Sequence, residues 1–166
     1  MTRSPARKWP WFLLSFLGAA LALVFLMVLL EPVDEADAAA PQFVEQRVKA
    51  EAGDAVARFK MAGFYARGEG VAQDLVEAAR WLTLAAEQGY APAQNNLAVC
   101  YSTGAGVPKD QGKAIEWIRK SAEQGYARAQ CYLGLSYAKG EGVPKDQAQA
   151  LDWFRKSAAQ GFPDAL

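Results

Sequence analysis

The chain has 166 residues, and its 18 Lys plus Arg against 18 Asp plus Glu leave no net charge; it holds no histidine and two cysteines. A balanced charge argues against a nucleic-acid binder, whose affinity comes mostly from neutralising phosphates. The missing imidazole removes Ser-His-Asp and Cys-His catalysis and His-dependent zinc sites, while two thiols are too few for a disulfide-stapled scaffold or a four-thiolate centre, so neither a cofactor nor a metal is expected.

Taken in chain order, residues 1–8 form a basic tail carrying Arg3, Arg7 and Lys8. Residues 9–30 are uncharged and almost wholly apolar. At a rise of about 1.5 Å per residue, roughly 20 such residues cross a hydrocarbon core of about 30 Å, so a transmembrane anchor is expected here. Trp9 and Trp11 suit an interfacial belt. Basic residues before the span and Glu31, Asp34, Glu35 and Asp37 after it predict a cytoplasmic N-terminus. The competing reading is a signal peptide cut after Ala36-Asp37-Ala38, whose apolar core would be unusually long.

Residues 31–41, acidic and bracketed by Pro32 and Pro41, read as a linker. Residues 42–52 align one period before the second helix of a later unit. They predict a degenerate capping helix covering the apolar end of an array.

The rest of the chain repeats at a step of 36 residues. Gly68, Gly70, Val71, Asp74, Ala78 and Trp81 return as Gly104, Gly106, Val107, Asp110, Ala114 and Trp117, then as Gly140, Gly142, Val143, Asp146, Ala150 and Trp153. Such a period marks a repeat array. Three units are expected at 53–88, 89–124 and 125–160, with 161–166 starting a truncated fourth.

Each unit predicts two helices. The first runs about 54–67, 91–103 and 127–139, with a buried face of Ala57, Met61 and Tyr65, then Ala93, Leu97 and Tyr101, then Ala129, Leu133 and Tyr137. Gly68, Gly104 and Gly140 are placed to end it in a left-handed conformation. The second begins at Asp74, Asp110 and Asp146, which suit N-caps, and Asp74 with Glu77 and Asp146 with Gln149 fit a capping box. Its core stripe is Ala78, Trp81, Leu82, Ala85 and Ala86. No segment alternates with period two. The fold class is all-α: a short α/α solenoid of three 36-residue helix-turn-helix repeats, preceded by one N-terminal transmembrane helix.

The unit resembles the Sel-1-like repeat, a relative of the tetratricopeptide repeat, through Leu97, Tyr101, Gly104, Gly106, Val107, Asp110, Ala114, Trp117, Ala122, Gln124 and Gly125. The resemblance covers about residues 53–162. It implies an adaptor that holds protein partners together, often at membranes or in the bacterial envelope.

Candidate site residues are those that vary while the scaffold repeats. Residues four apart share a helix face, so Lys60 with Phe64, Asn96 with Cys100 and Tyr132 with Ser136 form successive rungs of a concave binding groove. A second candidate is the C-terminal edge at Leu135, Trp153 and Phe162, where an absent next unit would leave apolar surface for a partner or a second copy. Ser136-Tyr-Ala-Lys139 matches an element of penicillin-binding enzymes but has no companion motif, and Gly104-Ala-Gly106 follows no strand; neither is read as catalytic.

The expectation is a non-enzymatic protein–protein interaction scaffold, single-pass in the inner membrane of a Gram-negative bacterium, with its repeats in the periplasm. It binds no nucleic acid. The alternatives are an envelope enzyme acting on peptidoglycan or β-lactams, and a repeat protein secreted after signal cleavage.

Overall fold

The computed structural model describes residues 41–162. The expected basic tail, membrane anchor and nearly all of the linker lie outside the described residues, as do 163–166 of the truncated fourth unit. Among the described residues there are seven helices and no strand: α1 (Pro41–Glu51), α2 (Ala55–Arg67), α3 (Leu75–Glu87), α4 (Ala91–Thr103), α5 (Gln111–Glu123), α6 (Ala127–Lys139) and α7 (Gln147–Ala158). No helix among them is long and apolar enough to cross a membrane.

Each helix packs chiefly on its neighbours in sequence, which makes a one-dimensional stack. The pairs α2–α3, α4–α5 and α6–α7 are the three helical hairpins, and α1 lies on α2 as α3 lies on α4. The sequence periodicity explains this. Ala57 and Met61, Ala93 and Leu97, and Ala129 and Leu133 are fully buried at one helix face, while the alanines of the second helices bring the backbones close. Truncating Met61, Leu97 or Leu133 to alanine is expected to cost about 2–5 kcal/mol. Phe43 of α1 closes the near end, edge-on to Phe64 at 5.7 Å and to Tyr65 at 5.9 Å. Trp117 packs against the buried clusters on both sides of it and joins the first half of the stack to the second.

The turns are fixed twice. Gly104 ends α4 at φ 85° and its N–H donates to the Cys100 carbonyl at 2.8 Å. After the turn, the Asp110 N–H donates to the Tyr101 carbonyl at 2.8 Å, and Asp74 and Asp146 do the same to Tyr65 and Tyr137 at 2.9 Å. The three aspartates then cap α3, α5 and α7 through side-chain bonds to first-turn amides. The expected capping boxes are therefore only half made. The Asp74 and Asp146 N–H groups are already engaged by the tyrosine carbonyls, and Glu77 bonds Arg80 at 2.6 Å.

The second glycine of each turn has a role that its position in the loop does not suggest. A Cβ on Gly106 would run into the Leu75 carbonyl at the start of α3, and one on Gly142 would lie 2.6 Å from Ile115 of α5. The second and third turns thus seat their backbone directly on the second helix of the preceding unit. A polar seam joins the units at the other end of the same helices. Gln124 donates to Gln94 at 2.7 Å and Gln160 to Gln130 at 2.8 Å, while Gln94 and Gln130 donate to the Ala86 and Ala122 carbonyls. Buried Ser121 and Ser157 reach back to the Ala91 and Ala127 carbonyls, both at 2.7 Å.

Candidate functional site

The first helices of successive units, α2, α4 and α6, line one groove of about 670 Å3. Five of the six rung residues border it: Lys60, Phe64, Asn96, Cys100 and Tyr132. Ser136 does not. It lies in a second hollow of about 300 Å3 that shares Val99 and Tyr132 with the first and also contains Leu135. Ser136 is buried and its Oγ donates to the Tyr132 carbonyl at 3.0 Å, so the hydroxyl is spent on its own helix. Lys139 stands 3.9 Å from Glu141.

The groove also has residues that the rung pattern leaves out. Phe59 and Asn95 occupy equivalent positions of α2 and α4 and form part of the lining, and Gln42 of α1 and Arg128 of α6 border it. Phe59 rests edge-on against Tyr90 with ring centres 5.4 Å apart. Asn95 is only 1% exposed; its Nδ2 donates to Asn96 Oδ1 at 3.2 Å, and its own Oδ1 has no hydrogen-bond partner. A buried amide at a position filled by Phe59 and Cys131 in the other units was legible only as a variable site.

Four charged side chains border the groove: Lys60, Arg67, Glu69 and Arg128. Arg67 holds Glu69 through two bonds of 2.5 and 2.9 Å, and that pairing keeps the Glu69 carboxyl below its ordinary value. Burial pushes the Cys100 thiol above its ordinary value, which keeps it protonated at neutral pH and poor as a nucleophile. The surface is suited to binding by shape, aromatic contact and charge.

At the far end of the stack the structure relocates the exposed edge. Trp153 is half-buried and packs into the last core cluster, with the Lys156 ammonium 4.0 Å above its ring, and Phe162 is half-buried. Leu135 faces the second hollow, and its counterpart Val99 is equally exposed although a further unit follows it. The residue that reports the edge is Leu151. Its counterparts Ala79 and Ile115 are 1% and 6% exposed beneath the next unit, whereas Leu151 is 49% exposed.

Comparison with known proteins agrees with this architecture. The Sel1 repeat profile matches residues 55–90, 91–126 and 127–162, two residues later in phase than the units drawn from the sequence. No curated protein sequence matches the chain. Among solved structures, a Sel1 repeat protein from Oxalobacter formigenes is similar at 39% identity and a TM-score of 0.70, over 76% of this chain and 95% of that one. The protein c5321, a protective antigen of uropathogenic Escherichia coli with an SLR fold, is similar at 39% identity and a TM-score of 0.72. That match covers 74% of this chain, which spans 26% of c5321. Helicobacter pylori cysteine rich protein B shares the fold, at 22% identity and a TM-score of 0.58, over 74% of this chain and 93% of that one. Sel1 repeats generally mediate protein–protein interaction. With three consecutive profile matches and the same turn glycines, capping aspartates and buried alanines in every unit, this chain belongs to the Sel1 repeat family.

Proposed function

We propose that this chain is a membrane-anchored interaction module that presents its Sel1 repeats to the periplasm and holds a protein partner in the groove across α2, α4 and α6. The observation that carries the binding reading is the groove itself. It runs over three units, and Phe59, Lys60, Phe64, Asn95, Asn96, Cys100 and Tyr132 of its lining stand at positions that the repeat leaves variable. The anchor and its direction rest on the uncharged stretch 9–30, with Arg3, Arg7 and Lys8 before it and Glu31, Asp34, Glu35 and Asp37 after it.

Two measurements test the proposal. A phosphatase fused after Leu166 is expected to be active in the periplasm, and an inactive fusion beside an active cytoplasmic reporter would overturn the orientation. A photo-crosslinking residue at Tyr132 is expected to capture protein bands that the same residue at exposed Val76 of α3 does not. Identical patterns from the two sites would remove the groove from the function.

A further inference from the structure

The three turns and the start of α1 share one edge of the stack. α1 lies on α2 as α3 lies on α4, so Pro41 begins its helix on the side where Leu75, Gln111 and Gln147 begin theirs. Ten residues, 31–40, join Pro41 to the uncharged stretch, a tether that reaches at most about 35 Å. Near the tether the edge is apolar. Leu75 and Val76 are 45% and 67% exposed at the start of α3, where the later units have Gln111-Gly112 and Gln147-Ala148. Farther along it is basic. Lys109 and Lys145 stand where the first turn has Gln73, and both are exposed with no ion pair or side-chain hydrogen bond among the described residues. The acidic groups of this edge are engaged. Asp74, Asp110 and Asp146 accept from helix amides, Arg67 holds Glu69, Arg80 holds Glu77, and Lys139 stands 3.9 Å from Glu141. The opposite edge differs. It carries Glu87 and Glu123, the last residues of α3 and α5, exposed and in no ion pair among the described residues, together with Arg128 in the first turn of α6.

An exposed aliphatic pair followed by long cationic arms suits a surface that enters a headgroup layer. Neither set is large, but a short tether makes docking an intramolecular event, so weak contacts suffice. We propose that the turn edge rests on an anionic bilayer surface, with Leu75 and Val76 in the headgroup layer and Lys109 and Lys145 on lipid phosphates. The stack then lies along the membrane plane, because this edge is the line of its turns. The proposal rests on the anchor read in residues 9–30. It goes further by naming the face that meets the membrane and the lipid charge that this face requires.

The test uses the full chain reconstituted into vesicles of phosphatidylcholine alone or mixed with phosphatidylglycerol. A polarity-sensitive fluorophore is placed on Val76→Cys, or on Glu123→Cys at the opposite edge, in a Cys100→Ala, Cys131→Ala background. Emission from position 76 is expected to brighten and shift to the blue in the mixed vesicles alone and to return as salt rises, while position 123 stays unchanged. Lys109→Gln and Lys145→Gln are each expected to lower the ratio of docked to free edge about five-fold, with the helical circular dichroism unaltered. The same emission from position 76 in both lipids, in a chain that stays in the vesicles through an alkaline wash, would overturn the docking edge and keep the anchor. A lipid-dependent shift in a chain that the wash strips off would overturn the anchor and keep the edge. Equal shifts at positions 76 and 123 would overturn the edge, since the contact would then have no preferred face.

Discussion

Gln124 Nε2 donates to Gln94 Oε1 at 2.7 Å across thirty residues of chain, and Gln160 makes the same bond to Gln130 at 2.8 Å. Gln94 is buried and hands its own Nε2 to the Ala86 carbonyl, so each bond ties one unit's second helix to its first and onward to the unit before. Gln124→Ala leaves the Gln94 oxygen without its donor and is expected to lower stability by about 1–2 kcal/mol. In a double-mutant cycle with Gln94→Leu, denaturant unfolding should give a coupling of about 1 kcal/mol. Additive effects would mean that the bond carries no net stability.

The two glycines of a turn are expected to differ in their tolerance of alanine. At Gly104 a Cβ meets nothing nearer than Lys109 Cβ at 3.6 Å, so Gly104→Ala carries only the left-handed penalty of about 1–2 kcal/mol. At Gly106 the new carbon must also push the Leu75 backbone away, which adds about 1–3 kcal/mol. Thermal unfolding of the two variants checks the order; equal losses would show that the contact between turn and helix yields freely.

Cys100 gives a pH signature. Burial raises its pKa above the ordinary thiol value of 9.0, so alkylation by iodoacetamide in a Cys131→Ala background should begin at higher pH than for a free thiol. The unfolded chain loses this proton first. The thiol's contribution to stability is therefore complete below the unfolded value and is lost as pH rises through the folded one. Cys100→Ala should remove that part of the alkaline decline, and an unchanged pH profile would contradict the assignment.

Leu151 should respond to what is stacked on it. Leu151→Asp is expected to change stability by less than about 0.5 kcal/mol, as exposed substitutions do. Inserting a copy of residues 91–126 after Phe162 places a turn glycine and a first helix over α7, which should raise the melting temperature. In that longer chain Leu151→Asp is expected to cost about 2 kcal/mol or more. The same small effect in both chains would mean that α7 does not accept a further unit.

Much of this architecture is legible in the amino-acid sequence. Period, helix bounds and capping aspartates follow from local rules, and α4 and α6 begin and end where the glycines and the alanine stripe put them. Spacing by four brought Lys60, Phe64, Asn96, Cys100 and Tyr132 to one groove, because side chains on one helix face stay together wherever the helix goes. Contacts set by the rotation between units were not legible. A repeat length does not state that angle, and the angle decides that Leu151 rather than Leu135 lies at the edge, that Gly106 meets Leu75, and that Ser136 falls into a separate hollow. The missing arm of the capping box has a similar origin, since the competing acceptor is nine residues earlier on another helix.

The division of labour between repeated and unrepeated positions has an evolutionary consequence. Alanines, turn glycines and seam glutamines hold neighbouring units together, whereas groove residues such as Lys60 and Tyr132 make none of the hydrogen bonds of that seam. Duplication of one block lengthens the stretch of ligand that is read, and later drift at the groove positions rewrites what is read there. Selection can thus retune recognition without solving the folding problem again.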